Sequence, residues 1–121
     1  MQGLVAAVVT PMMDDGELNL ALVPEIVDHL ERNGIGGVYI AGSTGEGMSL
    51  TDDERMAVAE AYLQHCKGRM QAVVQVGHNS MKAAAALAVH AQASGADAIS
   101  ATPTGYFQAE GERGLVEFMA G

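Results

Sequence analysis

A parallel α/β fold built from four consecutive βα units is the architecture that the sequence predicts, on three observations. Short apolar runs rich in β-branched residues recur along the 121 residues, and helical patterns lie between them. Helix starts fall near residues 20, 51, 79 and 110, a spacing of about 30 residues that matches one strand, one helix and two short loops. Four such units make either a small open sheet with helices on both faces or half of an eight-stranded barrel of about 250 residues. Length by itself favours the open sheet. No linker, low-complexity tract or change of composition interrupts the chain, so residues 1–121 read as one domain.

The four runs are LVAAVV at 4–9, VYIA at 38–41, AVVQV at 72–76 and ADAISA at 96–101. Each is continuous and not alternating, as expected of strands buried under helices on one face and packed side chains on the other. After Asn19, the residues Val23, Ile26, Val27 and Leu30 recur at helical spacing until Asn33 and Gly34, and Pro24 sits early, where a lost amide donor matters least. Thr51 and Glu54 form a capping-box pattern for the second helix, with Met56, Ala59, Leu63 and Cys66 along one face until Gly68. A third helix is predicted from Asn79 or Ser80 through the alanine-rich MKAAAALAVHAQA to Ser94 and Gly95. The fourth begins near Ala109 or Glu110 and carries Leu115, Phe118 and Met119 on one side.

Composition removes several classes of function. Hydrophobic residues make up 49% and charged residues 17% of the chain, which is globular composition with enough apolar side chain for a core. Fifteen acidic residues against six basic ones give a net charge of -9, which repels nucleic acid and anionic membranes. The opening MQGLVAAVV lacks a basic leader and is shorter than the roughly 18 residues of a membrane span, so a cytoplasmic protein without membrane contact is expected. Cys66 has no cysteine partner and reads as a small buried hydrophobe. His29, His65 and His90 show no mutual ligand spacing, so no metal site is expected. Asp14, Asp15, Asp52 and Asp53 read as solvated charges of loops and helix entries.

Chemistry in such folds gathers where strands end and loops begin, at the carboxyl edge of the sheet. The segment AGSTGEG, residues 41–47, occupies that place after the second strand. Its glycines do not fit the dinucleotide spacing, and no lysine follows to make a phosphate loop. A tight turn that presents two adjacent hydroxyls and backbone amides remains, suited to a small carboxylate or carbonyl oxygen. A purely structural turn is the alternative. Glu46 is expected to stiffen the turn by accepting amide hydrogen bonds. His78 and Asn79, after the third strand, either face a substrate or, for Asn79, cap the next helix.

The segments VVTPM, GSTGEG with SLTDDER, VGHNS, GADAIS and PTGYF follow one another along the chain. Together they resemble the N-acetylneuraminate lyase and dihydrodipicolinate synthase family. That resemblance implies a (β/α)₈ TIM barrel, of which this chain has the first four βα units, usually assembled as a homotetramer. It implies class I aldolase chemistry, in which a lysine forms a Schiff base with pyruvate and no cofactor takes part. It further implies that Thr44 and the amides of Thr44 and Gly45 grip the pyruvate carboxylate, that Ser43 joins the proton relay, and that Tyr106 is the catalytic tyrosine.

In the family the Schiff-base lysine lies on strand six, whereas Lys67 and Lys82 belong to helices here. The chain is therefore expected to be inactive alone. Ser43 at the first hydroxyl, the GEG continuation and the Tyr106-Phe107 pair resemble the lyases that split N-acetylneuraminate into N-acetylmannosamine and pyruvate. Alternatives are 4-hydroxy-tetrahydrodipicolinate synthase, another 2-keto acid aldolase, or a non-catalytic half-barrel that works only by association.

Overall fold

The computed structural model describes residues 3–101. The helix expected near 110, and Tyr106 with it, lie outside the described residues. Four strands, β1 (Val5–Ala7), β2 (Gly37–Ile40), β3 (Gln71–Gln75) and β4 (Ala98–Ser100), alternate with α1 (Val23–Arg32), α2 (Asp52–Cys66) and α3 (Met81–Ala93). Short 3₁₀ turns at Leu20–Leu22 and Gly47–Ser49 precede α1 and α2. The predicted elements are all present within residues 3–101; β1 and β4 are shorter than the apolar runs that announced them, and β2 and β3 start one residue earlier.

Every strand pair is parallel and the order is β1-β2-β3-β4. Each right-handed crossover therefore advances one place in the same direction, which sets every helix on the same side of the sheet. Doubly wound sheets reverse strand order at a switch point, and this one does not. Topology thus overrules the expectation from length: the four units wind like part of a barrel.

Burial agrees with that winding. Val8, Val38, Ile40, Ala72, Val74 and Val76 form the buried side facing the helices, packed with Val27, Val58, Tyr62 and Leu63. The other side carries Val5 and, in one register row, Ala7, Tyr39, Val73 and Ala98. Among the described residues this inner side is only partly covered, and Val5 is 43% exposed.

Local signals explain the helix ends. The Thr51 hydroxyl accepts the Glu54 amide at 3.1 Å, and the Thr51 amide donates to Glu54 Oε1 at 2.9 Å, completing the capping box. Replacing this threonine, Thr51→Ala, is expected to lower stability by about 1 kcal/mol, visible as a lower urea midpoint. Gly34 and Gly95, at φ 77° and 95°, let the chain leave α1 and α3 through the left-handed region. The face of α2 is wider than the sequence pattern, because Arg55, Val58 and Tyr62 are buried with Ala59, Leu63 and Cys66. Cys66 is indeed a core residue, and burial pushes its thiol up to about 11.

Arg69, just beyond α2, reaches back to α1 with 2.6 Å to Asp28 and 3.0 Å to Glu31. Its hydrogen bonds hold the Glu31 carboxyl below its ordinary range. Asp15 does more than carry charge: its Oδ1 accepts the Glu17 amide at 3.0 Å and shapes the turn at Gly16.

Candidate active site

The turn at residues 41–47 is built by close backbone packing. Ala41 leaves β2 at φ 60° and Glu46 sits at φ 57°, both left-handed without being glycine. The glycines of the turn have little or no room for a side chain. A Cβ on Gly42 would enter the Tyr39 ring, and one on Gly47 would overlap the Ala41 carbonyl. At Gly45 it would lie 3.0 Å from the Val8 carbonyl oxygen and 3.2 Å from the Ala41 backbone. The Glu46 amide donates to Ser43 O at 3.1 Å and the Gly47 amide to Gly42 O at 3.0 Å, which closes the turn from within. The glycines thus serve contact, and the strain they leave room for falls on Ala41 and Glu46.

The remainder of the turn faces outward. Ser43 and Thr44 are exposed side by side, whereas Gly42, Gly45 and Gly47 are buried. Among the described residues, the N–H groups of Ser43, Thr44 and Gly45 have no acceptor. Amides without an acceptor beside two exposed hydroxyls are groups that can donate hydrogen bonds to an anion. Glu46 departs from expectation: it is exposed and its side chain makes no capping hydrogen bond, so the stiffening comes from its backbone.

Neighbouring strand ends brace the turn. From the end of β1, the buried Thr10 hydroxyl donates to Gly45 O at 2.6 Å. The Tyr62 hydroxyl on α2 donates to Val9 O at 2.6 Å, and burial raises its pKa to about 12, so it stays a donor at neutral pH. Arg55, 3% exposed, spans from α2 to the end of β3, donating to Gln75 O at 2.7 Å and Gly77 O at 2.8 Å. Its Nε has no partner among the described residues. Burial pushes its pKa down and Asp52 pulls it back up. Gln75 Oε1 accepts the Gly77 amide at 2.7 Å, so the chain after β3 is held by one buried side chain on each side.

Beyond Gly77, His78 accepts the Ser80 amide at Nδ1, 2.9 Å away, and faces Asp52 through Nε2 at 3.1 Å. Asp52 is therefore paired as well as solvated. The cap of α3 is Ser80, whose Oγ accepts the Ala83 amide at 3.2 Å, and not Asn79. Neither lysine stands on a strand: Lys67 follows α2, Lys82 lies in the first turn of α3, and both are exposed. Lys67 also lines a cleft of about 370 Å³ together with Cys66, Arg69 and Asp97, at the opposite, amino-terminal end of the strands. Among the described residues, no group of three or more His, Cys, Asp or Glu side chains is placed to hold a metal ion. No described helix is long and apolar enough to cross a membrane.

Of the residues anticipated from the sequence, Ser43, Thr44 and Gly45 come together, and Tyr106 lies outside the described residues. Sequence reasoning missed Thr10, Tyr39, Arg55 and Tyr62 as parts of this neighbourhood. Thr10 and Arg55 stand inside the quoted segments VVTPM and SLTDDER, which was the available signal. Nothing in spacing alone marks an arginine amid helical charges as buried.

Similarity to known proteins follows the same outline. Zebrafish (Danio rerio) N-acetylneuraminate lyase is 46% identical over 110 residues, covering 89% of this chain and 36% of the relative. The rat (Rattus norvegicus) N-acetylneuraminate lyase is 37% identical over 121 residues, covering 98% and 38%. The solved structure of Proteus mirabilis N-acetylneuraminate lyase superposes with a TM-score of 0.93 at 32% identity, covering 98% of this chain and 40% of that one. Dihydrodipicolinate synthase from Aquifex aeolicus superposes at 0.88 with 29% identity and covers 98% and 40%. The chain spans about two fifths of the length of these relatives, and its sheet is a half-barrel of the TIM type. Residues 1–120 match the Dihydrodipicolinate synthetase family, and the chain belongs to that family.

Proposed function

We propose that this chain is the carboxylate-binding half of a Schiff-base aldolase acting on a 2-keto acid, most closely an N-acetylneuraminate lyase. The observation that carries the reading is the turn at residues 41–47, with exposed Ser43 and Thr44 hydroxyls beside unpaired amides. The lyase assignment draws on the names of the zebrafish and rat relatives and on serine at position 43.

On this reading Thr44 and the amides of Thr44 and Gly45 take the pyruvate carboxylate, and Ser43 holds a proton beside it. Tyr106 relays protons as the carbon-carbon bond of N-acetylneuraminate breaks. The amine that forms the imine comes from outside these 121 residues, supplied by the rest of a barrel that also covers the inner sheet face. Cytoplasmic location and a homo-oligomeric assembly belong to the same reading.

Titrating the ¹⁵N-labelled chain with pyruvate is expected to shift the Ser43, Thr44 and Gly45 amides saturably. The substitution Thr44→Val should weaken that response about tenfold, as loss of a hydrogen bond to a charged group does. Shifts that ignore the turn, or that Thr44→Val leaves unchanged, would overturn the reading. Borohydride treatment with pyruvate should leave Lys67 and Lys82 unmodified.

A further inference from the structure

Tyr39 is the one large side chain in its row of the inner sheet face. Its register neighbours there are Ala7 on one side and Val73 on the other, followed by Ala98. Small neighbours leave room for the ring to lie along the sheet. One edge of the ring, Cδ1 and Cε1, packs directly against Gly42, where even a methyl group would collide with it. From the tip of the same ring the hydroxyl donates to Ser100 Oγ on β4 at 3.0 Å, joining residues 61 apart in sequence. Ser100 is paired with Gln75, two register positions nearer the carboxyl ends of the strands than Tyr39. The phenol therefore rises from the row below toward the site and ties the end of β4 to the floor of the turn.

Two features make this more than packing. The turn above the ring is strained at Ala41 and Glu46, so its shape depends on what supports it. A half-buried phenol among aliphatic neighbours would also be free to swing about χ1 without a fixed partner for its hydroxyl. We propose that Tyr39 is a positioning residue for the anion-receiving turn, locked by its hydrogen bond to Ser100, so that the ends of β2 and β4 act as one unit. The proposal rests on the proposed role of that turn in binding a keto-acid carboxylate. It predicts that a change at Ser100 is felt at residues 43–45 although no backbone hydrogen bond joins β2 to β4.

The test compares Tyr39→Phe, Ser100→Ala and the double variant of the full chain, with pyruvate as the probe. Each single change should raise the pyruvate dissociation constant about two- to tenfold, the range for one hydrogen bond. The double variant should be no worse than either single one, because both remove the same bond. The urea midpoint should stay nearly constant, which separates positioning from loss of fold. Hydrogen exchange at the Gly47 amide in the unliganded chain should quicken equally in both single variants.

If the unsubstituted chain ignores pyruvate, the keto-acid reading fails, and the exchange measurement still decides the lock. Unchanged exchange at Gly47 in both variants would overturn the proposal, as would pyruvate effects that simply add in the double variant.

Discussion

A methyl group at position 47 will displace the turn at residues 41–47 and cost about 3 kcal/mol. Gly47→Ala places its Cβ against the Ala41 carbonyl, and that oxygen belongs to backbone already held at φ 60°. Neither partner can rotate away as a side-chain tip would. The neighbouring bond from the Gly47 amide to Gly42 O, 3.0 Å, goes with the displacement. Gly34→Ala is the control, because a Cβ there meets nothing within 4 Å and the cost is only that of φ 77°, about 1 kcal/mol. Urea denaturation followed by circular dichroism measures both. Equal losses at the two positions would show that the turn yields to the extra methyl and that contact does not define it.

Truncating the buried arginine should cost as much or more. Arg55→Ala removes two charge-assisted hydrogen bonds, to Gln75 O and Gly77 O, each worth about 1.5–3 kcal/mol, and leaves both carbonyls without these donors in the interior. A loss of at least about 3 kcal/mol is expected on those grounds. Arg55→Met separates the terms, since it keeps the apolar stem and removes a buried cation whose desolvation already depresses its pKa. It should recover about 1 kcal/mol of the loss. A methionine variant as stable as the original would show that the cation costs as much as its bonds return. In either variant the His78–Asp52 pair and the Ser80 cap, which start from the clamped end of β3, should loosen together. Faster hydrogen exchange at Ser80 and Ala83 is the corresponding signal.

These two positions also mark where the sequence was informative and where it was silent. The three glycines of AGSTGEG announced a tight turn, and the capping box at Thr51 announced where α2 begins, because both are local rules written in neighbouring residues. The strand and helix order within residues 3–101 was legible for the same reason. Arg55 was not: it lies in a run of charges at a helix start, and only the approach of β3 to α2 turns it inward.

By itself, then, the sequence determined the four strands and the three helices between them, the capping box of α2, the place of the turn, and the family to which its segments belong. Only the tertiary structure decided that the helices share one side of a sheet ordered β1-β2-β3-β4, against the open sheet that length favoured. It alone showed that Thr10, Tyr39, Tyr62 and Arg55 converge on the ends of strands. The physical reason is range. Caps, turns and periodicity are settled by residues within about four positions of one another, whereas the direction of a crossover and the partner of a buried polar group are settled by contacts between segments distant in the chain.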